Sequence, residues 1–161
     1  MRYIMTQKAF SLGDNFTVIN ESEKILYDVV DKKSFVYKIL SFNEASGKEL
    51  FSISHKKLFH CPGFEITKSG KVNAEVSKVY SWFKNKLVMS IVGSKEYIIT
   101  GTFWGGSYTF KSNERLVAQI SRKNWSFSDK YDIEIFDDEN HEIILATCVV
   151  IDIMFHNTNV D

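Results

Sequence analysis

Two segments of the chain set bulky aromatic rings beside cations: Tyr80-Ser81-Trp82-Phe83-Lys84-Asn85-Lys86 and Ser121-Arg122-Lys123-Asn124-Trp125. An indole ring is stable at the depth of lipid headgroups, where a neighbouring ammonium or guanidinium meets phosphate. Trp82, Lys84, Lys86, Arg122, Lys123 and Trp125 therefore form a candidate surface for an anionic ligand. The competing reading keeps the rings in the core and leaves the cations to solvate strand ends. Lys84 and Lys86 share one side of any strand they occupy, whereas Arg122 and Lys123 point to opposite sides unless their strand has ended.

Other reactive groupings are less complete. His55, His60 and Cys61 lie within seven residues of one another, but no further histidine or cysteine nearby completes a tetrahedral set, so they read as strand-end and loop residues. His141 and Cys148 stand seven apart, close to two helical turns, and packing of the thiol in a helix accounts for that spacing. Asp137, Asp138, Glu139 and Glu142 lack the alternating oxygen ligands and central glycine of a calcium loop, and capping of a helix explains them. The chain has no phosphate-binding glycine loop, no GxSxG elbow and no HExxH. No catalytic residue, metal or cofactor is assigned. An enzyme of unfamiliar chemistry stays open as a third functional reading.

Basic and acidic residues balance at 20 each, which removes the global positive field that phosphate-binding nucleic-acid proteins use, so no nucleic-acid partner is expected. The balance is uneven along the chain. Residues 129–161 hold nine carboxylates and one cation, Lys130, leaving the first 128 residues net basic. The opening residues lack the continuous apolar stretch of a secretory signal. Cys61 and Cys148 lack CxxC spacing and read as reduced thiols. A cytoplasmic location is the expectation.

Four copies of one unit carry these residues: an alternating strand, a polar turn, and a second strand ending in a basic residue. They are Phe16-Thr17-Val18-Ile19 with residues 27–32, Leu40-Ser41-Phe42 with 51–56, Phe64-Glu65-Ile66 with 74–78, and Tyr108-Thr109-Phe110 with 118–123. Period-2 alternation fits a strand with one buried face, and Ser46-Gly47, Ser69-Gly70 and Ser112-Asn113 supply the backbone freedom of tight turns. Each unit is a β-hairpin. Further strands are expected near residues 3–7, 87–92, 97–102 and 131–136, about a dozen in all, at the spacing of a sandwich or barrel. After Asp137-Asp138-Glu139-Asn140 the alternation ends in an apolar run, Ile143 to Phe155, broken by Asp152. The preceding carboxylates predict a helix over about 139–155 that is buried on every side; a buried central strand is the alternative that β-branched propensity favours. At about thirteen residues the run is short of the roughly 20 that cross a bilayer, so no transmembrane segment is expected.

Met1-Arg2-Tyr3, Gln7-Lys8-x-Phe10-Ser11-x-Gly13-Asp14-x-Phe16, Gly101-x-Phe103, Ser121-x-Lys123, Tyr131-x-Ile133, Ala146 and Val150-Ile151-Asp152 together resemble the LURP-one-related, or tubby-like, family, its bacterial members in particular. The resemblance spans nearly the whole chain. It implies a mainly β fold, a twelve-stranded antiparallel closed barrel (strands about 3–136) around a buried C-terminal hydrophobic helix, filling residues 1–161 as one domain. It also implies kinship with tubby C-terminal domains, which bind phosphoinositides, and with phospholipid scramblases. Where a second glycine-containing turn is expected after the first hairpin, the chain has Asp31-Lys32-Lys33-Ser34-Phe35-Val36. The functional expectation is a non-enzymatic binding module for an anionic lipid headgroup, with a protein-interaction scaffold as the alternative.

Overall fold

The computed structural model describes residues 1–8, 13–32, 38–56, 63–79, 86–125, 128–136, 138 and 140–156, with the side chains of 124, 125 and 128 excepted. Twelve strands run in chain order: β1 (Arg2–Gln7), β2 (Phe16–Asn20), β3 (Ile25–Asp31), β4 (Ile39–Glu44), β5 (Glu49–Lys56), β6 (Gly63–Lys68), β7 (Lys71–Val79), β8 (Lys86–Ile91), β9 (Glu96–Thr102), β10 (Ser107–Ser112), β11 (Arg115–Trp125) and β12 (Ser128–Ile135). Each pairs antiparallel with its chain neighbours, and β1 pairs with β12 to close the barrel. The helix α1 (His141–His156) follows.

Alternation in sequence becomes alternation of faces. Phe51 and Ile53 on β5, Leu87 and Met89 on β8, and Tyr97 and Ile99 on β9 are buried, while Ser52, Val88 and Ile98 between them are partly exposed. The four hairpin units of the sequence share a further feature: β2, β4, β6 and β10 each shift register by one residue against their partner shortly before the turn, at Val18/Ile19, Phe42/Asn43, Ile66/Thr67 and Phe110/Lys111. A bulge bends a strand and increases its twist, so the four equivalent bulges add bend and twist at one end of the barrel. Two of the turns there place consecutive residues at positive φ, Ser69 (50°) with Gly70 (76°) and Asn113 (49°) with Glu114 (63°), the backbone that matches strand twist in a two-residue hairpin.

The apolar run is a helix. It starts two residues later than the sequence predicts, after Asn140 at φ 63°, whose carbonyl accepts from Ile144 N at 3.1 Å. The Asn140 side chain donates to Tyr97 Oη on β9 at 3.2 Å, fastening the helix start to the barrel wall. Of the carboxylates read as caps, Glu142 lies in the first turn and Asp138 is exposed; Asp137 and Glu139 lie outside the described residues. From Ile143 to Ile153 every side chain is buried, and Phe155 with them. The inward strand faces and the helix form one apolar cluster.

A carboxylate forced into that cluster loses its hydration with nothing to replace it, at several kcal/mol. Ile144→Asp and Val149→Asp, both at fully buried positions, are expected to abolish or strongly lower the cooperative thermal transition. Val92→Asp, at a position 64% exposed, should leave it nearly unchanged. Circular dichroism melts of the three variants check this; equal melts would mean that the helix is not enclosed.

Candidate functional site at the C-terminal mouth of the barrel

In an antiparallel barrel with neighbouring connections, every odd-numbered strand ends on the same rim. Here that rim surrounds the C-terminal end of α1, because Phe103, just past β9, and Arg122, near the end of β11, both touch His156. The basic residues that end the repeated hairpins are thereby gathered: Lys32 follows β3, Lys56 ends β5, Lys78 lies near the end of β7, and Arg122 and Lys123 near that of β11. Lys8, after β1, joins them. Several reach carboxylates on the outer wall, Lys8 with Asp28 at 3.1 Å, Lys32 with Glu49 at 2.6 Å, Lys56 with Glu75 at 2.8 Å and Lys123 with Asp132. The pairs of Lys8, Lys32 and Lys123 are exposed, and such pairs typically contribute about 0–1 kcal/mol, so they hold these cations loosely; the Lys56 side chain is more covered.

A second layer points inward and covers the helix end. Arg122 continues the inward series Ala118, Ile120, and its side chain is only 19% exposed. Its Nη2 pairs with Asp129 at 2.5 Å and its Nη1 lies 3.2 Å from His156 Nδ1. Lys78 continues Ala74 and Val76 on β7, with Nζ 5.5 Å from the Phe155 ring centroid. Two cations over the last helical turn suit the partial negative charge of the exposed carbonyls there. Phe155 stacks on Phe103 with centroids 4.8 Å apart, and Trp104, 65% exposed, stands edge-on to Phe155 at 5.7 Å and to His156 at 6.3 Å. Gly106 closes the β9–β10 turn against Arg122: a Cβ there would lie 2.3 Å from that of Arg122.

Beneath this layer sits the one charge of the apolar run. Asp152, 2% exposed, accepts a hydrogen bond from Tyr131 Oη on β12. Burial raises its carboxyl to about 6, against the opposing effects of the Tyr131 hydrogen bond, Arg122 and Lys38. Among the described residues, Asp152 Oδ2 and Arg122 Nε have no hydrogen-bond partner. Lys38 pairs with Asp14, which also accepts from Gln7 Nε2 at 3.3 Å.

Of the six residues singled out in the sequence, Arg122 and Lys123 lie in β11 and face opposite ways, Arg122 into the mouth and Lys123 outward, 60% exposed. Lys86 opens β8 opposite Val79. The backbone of Trp125 pairs with Ser128. Trp82 and Lys84, and the side chain of Trp125, lie outside the described residues. The sequence reading passed over Lys78, Phe103, Trp104, Asp129, Tyr131, Asp152 and His156 as members of the mouth; Asp152 alone left a local signal, as a charge inside an apolar run. The weaker groupings are described only in part. His55 packs edge-on to Phe64 at 5.2 Å, and His60 and Cys61 lie outside the described residues. His141 shares a 2.7 Å hydrogen bond with Tyr3 Oη, while buried Cys148, its thiol pushed up to about 12 by burial, faces Tyr108. Among the described residues no cluster could hold a metal ion, and no helix is long and apolar enough to cross a membrane.

Comparison with known proteins agrees with this architecture. The profile of the LURP-one-related family matches residues 1–152. The chain is 29% identical over 153 residues to an uncharacterized protein of Bacillus subtilis, YxjI, covering 95% of this chain and 93% of that one. Among solved structures, the X-ray structure of an Arabidopsis thaliana protein superposes with a TM-score of 0.65 at 12% identity, covering 94% of this chain and 91% of that one. At that identity the likeness speaks for the fold.

The buried carboxyl gives the fold a measurable pH dependence. Its folded value of about 6 lies above the ordinary 3.8, so its contribution is fully present below the unfolded value and is lost as pH rises through about 6. The loss is on the order of 3 kcal/mol at most. Asp152→Asn keeps an acceptor for Tyr131 but does not titrate. Its stability relative to the wild type should improve by roughly 2–3 kcal/mol between about pH 4 and about pH 7, read from urea unfolding at each pH. Parallel profiles for the two proteins would refute the assignment.

Proposed function

Because the chain belongs to the LURP-one-related family, we propose that it is a non-enzymatic binding module, cytoplasmic in location, whose basic rim holds anionic phospholipid headgroups at a membrane surface. The observation that carries this reading is the gathering of the hairpin-ending cations on one rim, around an exposed tryptophan. Trp104 stands at that rim against Phe155 and His156, the two residues that Lys78 and Arg122 cover; Trp82, Lys84 and Trp125 join the proposal by their place in the sequence alone. An indole at headgroup depth with cations around it is the arrangement an anionic bilayer surface favours. The loosely held pairs of Lys32 and Lys123 can exchange a wall carboxylate for a phosphate at little cost. Arg122 serves mainly inside the mouth, and the outward lysines supply the attraction.

Each cation near an anionic surface contributes ~1 kcal/mol and acts within a Debye length, so attachment is weak and salt-sensitive. Co-sedimentation with anionic vesicles at low salt should be seen for the wild type, and should fall by about an order of magnitude or more in Lys84→Gln/Lys86→Gln/Lys123→Gln. Lys24→Gln/Lys48→Gln/Lys95→Gln changes the net charge equally but acts at turns of the opposite rim, and should bind as the wild type does. Absence of sedimentation at low salt, or equal loss in both triple variants, would remove the lipid reading and leave the protein-interaction scaffold in its place.

A further inference from the structure

His156, in the last turn of α1, is held on two sides. Its Nδ1 lies 3.2 Å from Arg122 Nη1 and its Nε2 lies 2.9 Å from the carbonyl oxygen of Phe103. A guanidinium only donates and does not lose its proton, and a carbonyl only accepts. Nδ1 must therefore carry the lone pair and Nε2 the proton. One tautomer of the neutral ring satisfies both contacts. The imidazolium satisfies only the second, because its Nδ1–H would meet the Arg122 N–H head-on.

We propose that His156 is a proton-operated latch: the neutral ring ties the end of α1 to β11 and to the β9–β10 turn, and protonation releases Arg122 and opens the mouth around Trp104. The charged and titratable groups facing the ring come from each element packed against it. Arg122 on β11 opposes protonation, and Asp129 and the Phe103 carbonyl favour it; burial opposes it most, and together these hold the imidazole below the ordinary 6.5. Tyr131 on β12 lies with its ring 6.5 Å away, and Lys78 on β7 covers the neighbouring Phe155. Asp152, one helical turn earlier, interacts with Arg122. Arg122 keeps Asp129 on β12 as a partner at 2.5 Å, so the released guanidinium stays paired at the wall and is not left bare. The sign is fixed: the latch is closed above the usual histidine range and lost as pH falls through the lowered value. This inference concerns closure of the mouth itself and stands apart from the headgroup reading.

The test is a titration of the intact protein by NMR from about pH 8 to about pH 5, following the His156 ring nitrogens and the Trp104 indole N–H. The expected result is an Nε2–H ring at the upper end, a His156 midpoint below 6.5, and a Trp104 shift with the same midpoint. His156→Gln offers an amide oxygen to Arg122 and an amide N–H to the Phe103 carbonyl, so its Trp104 signal should stay at the high-pH position throughout. His156→Ala should hold Trp104 near the low-pH position at every pH. An Nδ1–H ring at neutral pH, a midpoint at or above 6.5, or a Trp104 titration that persists in His156→Gln would each overturn the proposal. Should His156→Gln fail to fold, the tautomer and the coincidence of the two wild-type midpoints still decide. Because these signals are read without vesicles, a failure of headgroup binding leaves the latch result intact.

Discussion

A helix that is apolar on all sides cannot rest on a surface in water, and a twelve-stranded barrel has a lumen too wide for its own side chains to fill. Each part solves the other's problem. The inward residues of the strands, among them Phe16, Phe42, Ile66, Met89 and Ile99, meet Ile144, Leu145, Val149 and Val150 of the helix in one cluster. Small residues stand among the large ones on both sides: Ala74 and Ala118 inside the barrel, Ala146 on the helix. Closure matters equally. The pairing of β1 with β12 removes the sheet edges, so the main-chain donors and acceptors of the wall are satisfied without outside partners.

Enclosure leaves the two helix ends as the places where polar groups need partners. At the start, Asn140 reaches Tyr97 and His141 reaches Tyr3. At the finish, Lys78 and Arg122 lie over the carbonyl end and His156 reaches the wall at Phe103. Asp152 departs from this economy, since a carboxylate inside an apolar cluster opposes folding at neutral pH. Its pairing with Tyr131 means that rotating the helix by even a quarter turn would drive the carboxylate into aliphatic wall. The buried pair therefore selects one rotation of a helix whose uniform apolar surface would otherwise discriminate weakly among several.

The period-2 hairpins were legible because each strand keeps one buried face, and all twelve strands fall where alternation predicts them, from residues 3–7 to 131–136. The helix was legible with an alternative: a β-branched run suits a central strand equally, and what excludes the strand is closure of the barrel, which leaves no edge for it to join. The four bulges carried no local sequence signal. At the mouth, contacts bridge distant positions, Arg122 to His156 across 34 residues and Tyr131 to Asp152 across 21, and no local motif can announce them. Arg122 is instructive. The sequence placed it beside Lys123 as a candidate surface cation, while the series Ala118, Ile120, Arg122 already assigned it to the inward face.

Parity converts a repeat along the chain into a feature in space. A basic residue at the end of one hairpin is an ordinary way to finish a strand in solvent. Repeated at the ends of β3, β5, β7 and β11, it becomes a ring, because antiparallel order sends every second strand to the same rim. The helix enters from the other rim, so its carbonyl end arrives where the cations are, and the macrodipole is complemented from the inside by Lys78 and Arg122. The same geometry divides labour between neighbours: inward cations cover the helix end, and outward ones such as Lys123 pair with carboxylates of the wall. Wall and helix are joined at this rim through Arg122, which among the described residues touches both Asp129 and His156.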